Sequence, residues 1–187
     1  MRQRLTTVDA QIHQVITVLR TFIDRARPSA GLTDVAIADV IGHVREMAGP
    51  RLARSGIRLA IEQTPALPRI RADVTQLEMA VLNLVSNAVD AMPSGGTLTI
   101  SAAARSSGIR LQIADTGTGI PPEVIERLFD PWITTKPAGQ GSGLGLAIVR
   151  DVVRAHGGTV SAVNRAVGAV FTIDLPATPG VAPGHHS

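Results

Sequence analysis

Leu5, Val8, Ile12, Val15, Leu19 and Phe22 recur at alternating steps of three and four, the seam of a helix that pairs with another. Thr, Gln, Arg and Asp fill the other faces of this N-terminal amphipathic helix. A stripe this short is marginal alone, so it needs a second helix or its own domain to pack against. Pro28-Ser29-Ala30-Gly31 breaks it. From Leu32 the pattern turns to alternating strands and helices. Leu32–Ile37 reads as a short strand. Asp39 can cap a helix to about Ala53, with Val40, Ile41, Val44 and Met47 inward. Ser55-Gly56 stops it, and Ile57–Glu62 alternates as a strand.

Asp73 opens a strongly periodic helix to Met92, burying Leu77, Ala80, Val81, Leu84, Val85 and Ala88. Thr97–Ala103 and Ile109–Ala114 form a strand pair after the turn at Pro93-Ser94-Gly95-Gly96. Pro121 and Pro122 begin a short helix to about Phe129, Pro131–Gly141 is a long loop, and Leu144–His156 is helical. Thr159–Asn164 and Ala169–Leu175 form a last hairpin around Gly168. Hairpin strands with helices between them predict an α/β fold. It is a two-layer α/β sandwich, one mixed and mostly antiparallel sheet with helices on one face, preceded by the N-terminal helix. The expected division is 1–30 for the paired helix, 31–176 for the α/β domain, and a disordered Pro/Gly-rich tail over 177–187.

Composition narrows the chemistry. Apolar residues make up 44% of the 187, but aromatics only 2%, so the core must be aliphatic. The absence of cysteine excludes disulfides, thiolate metal sites and cysteine nucleophiles, and permits a reducing cytoplasm. No apolar run is long enough to span a membrane, and Met1-Arg2-Gln3-Arg4 leads into no signal-peptide core; no membrane contact by this chain is expected. The net charge of +3 comes from scattered arginines with few aromatics to stack bases, which speaks against nucleic acid as a partner. The single lysine of the chain is Lys136.

Four segments carry polar or glycine residues where a plain core would not place them. Asn83, Asn87 and Asp90 share one helix face, where an amide oxygen and a carboxylate can coordinate a hard cation such as Mg²⁺. An ordinary solvated face would look the same. Asp115-Thr116-Gly117-Thr118-Gly119 ends a strand, so its carboxylate could accept from an exocyclic amine beside a close-approaching backbone. Many turns share that pattern. Gly139-Gln140-Gly141-Ser142-Gly143-Leu144-Gly145-Leu146 enters a helix whose first N–H groups can cradle an anion. It is not a P-loop, because no Gly-Lys-Ser/Thr closes it, and no strand directly precedes it as a dinucleotide fold requires. Leu128-Phe129-Asp130-Pro131-Trp132-Ile133-Thr134-Thr135-Lys136 brings the chain's single Trp and Lys beside that cradle.

In this order, the four segments resemble the ATP-binding domain of sensor histidine kinases, within the superfamily that includes DNA gyrase. Asn83 to Ala91 resembles the N box, Asp115 to Gly119 the first glycine box, Leu128 to Lys136 the F box and its sequel, and Gly141 to Leu146 the second glycine box. His156-Gly157-Gly158 is similar to the family's helix end, and the resemblance covers residues 32–176. It implies ATP and Mg²⁺ as cofactors. Asn87 should coordinate Mg²⁺, and Asp115 should accept from the adenine amine. Gly117 and Gly119, with Ile120 beside them, should shape that pocket. Gly141, Ser142, Gly143, Leu144 and Gly145 should lie along the phosphates, in a mobile lid over Pro131 to Ser142. Lys136 and Thr135 should reach phosphate oxygens when the lid closes. Asn83 stands where ATP-hydrolysing relatives carry a glutamate that activates water, and Asn cannot take a proton. Asp90 departs from kinases with a phosphate-contacting lysine there, which raises the importance of Lys136.

The resemblance also implies an acceptor histidine on the first of two dimerisation helices, whereas the one helix here runs directly into the ATP domain, as the second does. His13 therefore reads as a non-acceptor, and His43 and His156, inside helices of the ATP domain, as poorer candidates still. The expected partners are a separate acceptor-histidine dimerisation domain, a response regulator, and a second copy through residues 5–22. The expected location is the cytoplasm, with a longer parent that can be membrane-attached. Two other functions fit the motifs: a non-catalytic nucleotide-binding module, and a serine kinase of the anti-sigma type.

Overall fold

The computed structural model describes residues 31–136 and 141–178. The paired helix expected over 5–22, His13, and the tail from 179 lie outside the described residues. Strand β1, Thr33–Val35, leads into helix α1, Ile37–Arg54. Strands β2, Ile57–Gln63, and β3, Ile70–Ala72, come next, then helix α2, Val74–Ala91. Strands β4, Gly96–Arg105, and β5, Gly108–Asp115, form the central hairpin. A 3-10 helix, Pro122–Arg127, precedes helix α3, Gly145–Ala155. Strands β6, Thr159–Asn164, and β7, Ala169–Pro176, close the domain.

The main sheet runs β2-β4-β5-β7-β6, with β2 parallel to β4 and every other pairing antiparallel. Its central strands alternate over most of their length: Leu98, Ile100, Ala102, Ile109, Leu111, Ile113, Phe171 and Ile173 are buried on one face. Helix α2 lies under that face with Leu77, Ala80, Val81, Leu84, Val85 and Ala88 buried, and α1 and α3 flank it. The predicted two layers are therefore present. One expectation is corrected, since there are two sheets: β1 and β3 form a separate antiparallel pair. Three residues are too few for a period of two to show, and Ile70–Ala72 lies wedged between Pro68 and the cap of α2.

Asp73 is the cap that its position predicts, its carboxylate accepting from Gln76 N at 3.1 Å. Asp39 is not a cap. The helix begins two residues earlier, after Ala36, and Asp39 lies in the first turn, where its charge suits the helix dipole. Met47 is not inward but 62% exposed. The buried stripe of α1 follows Val40, Val44, Ala48 and Leu52 in steps of four, and Met47 falls on its flank. The first two residues of the expected tail are held: Ala177 N donates to Ser107 O at 3.1 Å, and Thr178 N donates to Arg69 O at 3.0 Å. Thr178 Oγ1 also donates to Asp34 Oδ1 at 3.1 Å, tying the end of β7 to the small sheet.

His43 on α1 faces Glu78 on α2, with Nδ1 and Oε1 2.6 Å apart. The hydrogen bond to Glu78, and then its charge, raise the His43 pKa above its usual 6.5. A raised folded-state pKa means stabilisation that is complete below the unfolded value and lost as pH rises through the folded value. The thermal midpoint should thus fall on that alkaline side, and the step should vanish in Glu78→Gln when melting is followed by circular dichroism across pH 5 to 9. A step that persists unchanged in the variant would assign it elsewhere.

Candidate functional site

The polar residues singled out above converge at one end of the domain, where the C-terminal half of α2, the end of β5 and the start of α3 meet. Leu84, Val85 and Ala88 anchor α2 in the core, which turns Asn83, Asn87 and Asp90 to the opposite, partly open side.

Asp115 ends β5 and is buried, at 5% exposure. Its Oδ1 accepts from Gly117 N at 2.8 Å and from Ala169 N at 3.4 Å. Oδ2 has no hydrogen-bond partner among the described residues and is not sealed from solvent, so one carboxylate oxygen remains able to accept. Gly168 makes this possible. Its φ is +74°, and a Cβ there would overlap the Asp115 carbonyl and lie 2.9 Å from Oδ1. The loop after Asp115 is fastened on both sides. A Cβ at Gly117 would come within 2.5 Å of Ala91 O, and Thr118 N donates to that same carbonyl at 3.1 Å. Gly117 thus lets the loop lie against the end of α2. On the other side Asn164, at the end of β6, clamps Ile120: its Oδ1 accepts from Ile120 N and its Nδ2 donates to Ile120 O, both at 2.7 Å. Gly119, with φ of +76°, passes beside the Asn164 amide.

The segment after the 3-10 helix is seated by Leu128, which is buried, and by Phe129, edge-on to Phe171 with centroids 6.4 Å apart. Arg150 of α3 reaches Asp130 at 3.3 Å. Trp132 N donates to Gly143 O at 2.9 Å, which draws together the two ends of the loop between them. Gly143 is required there, because its φ is +66° and a Cβ would lie 2.5 Å from the Trp132 carbonyl carbon. Residues 137–140, within the expected lid, lie outside the described residues. Beyond the loop, Ser142 Oγ accepts from Leu144 N at 3.3 Å, and Gly145 starts α3. A Cβ at Gly145 would be 3.3 Å from Asn83 Oδ1, so the Asn83 amide borders the helix N-terminus, where unpaired N–H groups favour an anion.

Lys136 joins these parts. Its Nζ lies 2.5 Å from Asp90 Oδ2 and 3.2 Å from Asn87 Oδ1. Gly141 passes within reach of Lys136 and of Thr134, whose Oγ1 accepts from Lys136 N at 3.2 Å. Thr135, expected beside a phosphate, is exposed and makes no hydrogen bond to a described residue. Asn87 Oδ1 already faces a cation, and no group of three or more His, Cys, Asp or Glu able to hold a metal occurs among the described residues. An amide oxygen, with the remaining ligands from phosphate and water, suits Mg²⁺ better than a dedicated protein cage does, so the residues fit that ion.

Sequence reasoning missed Asn164 as the clamp of Ile120, Gly168 as the glycine that admits Asp115, and Arg51 of α1, which pairs with Asp90 at 2.7 Å. Gly168 was visible as a turn residue, but nothing in the chain's pattern joins it or the other two to positions about 40 to 50 residues away. His156 is buried rather than available as an acceptor, with Nε2 accepting from Asp73 N at 2.9 Å and Nδ1 donating to Val152 O at 2.7 Å.

Residues 72–179 match the family described as histidine kinase-, DNA gyrase B-, and HSP90-like ATPase. The sensor histidine kinase ZraS of Klebsiella oxytoca is 34% identical over 185 residues, covering 91% of this chain and 40% of that protein. The catalytic domain of histidine kinase ThkA superimposes with a TM-score of 0.72 at 31% identity, covering 78% of this chain and 95% of that one. Full-length ShkA in complex with AMPPNP gives 0.77 at 30% identity, covering 97% of this chain and 40% of ShkA. The chain thus spans two-fifths of the length of ZraS. No helix among the described residues is long and apolar enough to cross a membrane. The chain belongs to the histidine kinase-, DNA gyrase B- and HSP90-like ATPase family, and its α/β part is an ATP-binding catalytic domain of the sensor histidine kinase kind.

Proposed function

We propose that this domain donates the γ-phosphoryl group of ATP to a histidine on a separate dimerisation domain, from which a response regulator takes it, in the cytoplasm. Asp115 Oδ2 accepts from the adenine amine, and the loop fastened by Asn164 and Ala91 holds the ring. Asn87 supplies an oxygen to Mg²⁺, which neutralises phosphate charge when bound. Lys136 and the first N–H groups of α3 hold the phosphates. The acceptor's imidazole nitrogen forms a bond to the γ-phosphorus as the bond to the β,γ-bridging oxygen breaks, and ADP leaves.

The observation that carries transfer to protein over hydrolysis is Asn83. Its amide borders the N-terminus of α3, with Oδ1 3.3 Å from the position of a Gly145 Cβ, and an amide takes no proton from water. Support for the relay comes from ThkA, whose complex with the response regulator protein TrrA superimposes with a TM-score of 0.75 at 25% identity, over 90% of this chain and 48% of that one. The test is incubation of the chain with γ-labelled ATP, Mg²⁺ and an isolated two-helix acceptor domain. An acid-labile label on the acceptor is expected. ATP bound without any label transferred would instead identify an inert nucleotide-binding module, and an acid-stable label would identify a serine kinase.

A further inference from the structure

Asp90 stands between two cations brought in from far along the chain. Its Oδ1 accepts from Arg51 Nη2 at 2.7 Å, and its Oδ2 from Lys136 Nζ at 2.5 Å. Arg51 is fixed to α2 a second time, because Nη1 donates to Ser86 Oγ at 2.8 Å. One planar guanidinium thus spans two neighbouring turns of α2, whereas Lys136 is held by a single atom on a flexible stem. The side chains are 47%, 33% and 30% exposed for Arg51, Asp90 and Lys136, so water screens the cluster only in part. The same Lys136 Nζ lies 3.2 Å from Asn87 Oδ1.

We infer that Asp90 competes with nucleotide for Lys136 and that Arg51 moderates this competition. Asp90 holds the ammonium at the phosphate end of the site before nucleotide arrives, and Arg51 keeps Asp90 neutralised once Lys136 has moved to a phosphate. The inference rests on the ATP reading above. Its physical content is a competition. Asp90 and the triphosphate are rivals for one lysine, and the carboxylate left behind repels the triphosphate unless a second cation stays with it. Arg51, fastened to α2 and not to the loop, is placed to stay. It supplies from α1 a positive charge beside a helix position that is here acidic.

The test is a double-mutant cycle on the full chain. Arg51→Gln, Asp90→Asn and the double variant are titrated with Mg·ATP and, separately, with adenosine, after thermal melts show that each folds. Arg51→Gln should weaken Mg·ATP roughly three- to five-fold, the scale of a partly exposed ion pair, and Asp90→Asn should tighten it by a similar factor. In the Asp90→Asn background, loss of Arg51 should have no further effect. Adenosine, which has no phosphate, should bind all four proteins equally. ATP and adenosine changing in parallel would overturn the inference by making the role structural. So would an Arg51→Gln penalty that survives in the double variant, which would make Arg51 itself a phosphate ligand. A wild-type chain that binds neither adenosine nor ATP would instead overturn the nucleotide-site reading on which the inference stands.

Discussion

Asp115→Asn is expected to weaken ATP binding by about a hundredfold or more while leaving the fold intact. The substitution is isosteric, and its remaining oxygen can still accept from Gly117 N and Ala169 N, the two bonds that Asp115 Oδ1 makes. That geometry turns the new NH₂ group to the Oδ2 position, where the adenine amine also presents donors. A buried charge-assisted bond is lost and two donors face each other, together about 3 kcal/mol. Calorimetric titration checks the loss, and circular dichroism checks the fold. Unchanged affinity would remove Asp115 from the adenine pocket. Guanine nucleotides, with an acceptor at the matching ring position, should already be discriminated against by the wild-type carboxylate, and the asparagine variant should narrow that preference.

His156→Ala is expected to be the most destabilising single change at the far end of α3. The ring is 7% exposed and both its nitrogens are committed, to Asp73 N and to Val152 O. It therefore bolts the C-terminus of α3 to the N-terminus of α2, the helix that carries Asn83, Asn87 and Asp90. Truncation leaves a cavity and removes both hydrogen bonds, a loss of about 2–4 kcal/mol. The thermal midpoint should fall by several degrees, about 2–4 °C for each kcal/mol in a domain of this size. ATP affinity measured well below the midpoint should change far less. A midpoint within one degree of wild type would show that the bridge contributes little.

The sequence disclosed the helices and long strands because each follows a single period over at least two turns or five residues. The α2 stripe from Leu77 to Ala88 and its Asp73 cap are one consistent signal, and the structure has both. Short-range signals failed where length or competition defeated them. Ile70–Ala72 is too brief to alternate, and Asp39 lost the capping position because α1 starts at Ile37. At the site, residues within a contiguous motif were legible, since Asn83, Asn87 and Asp90 do share the open face of α2. Partners contributed from other elements were not. Asn164 reaches Ile120 across 44 positions and Arg51 reaches Asp90 across 39, and only the folded sheet and helix pair bring them together. Gly117 shows the converse. It sits in the segment that resembles the first glycine box, yet its lack of a side chain is demanded by Ala91 of the neighbouring helix.

On the proposed function, adenine and phosphate occupy the end of the domain formed by α2, the loop after β5 and the start of α3. Titrating Mg·ATP into the ¹⁵N-labelled chain while recording amide resonances tests it most directly. Saturable shifts should appear at the backbone amides of Gly117, Gly119, Ile120 and Gly145 and at the side-chain amides of Asn87 and Asn164. Thr99, Gln112 and Thr172, on the outer face of the sheet, should stay unmoved. Shifts confined to that outer face, or none that saturate, would contradict it.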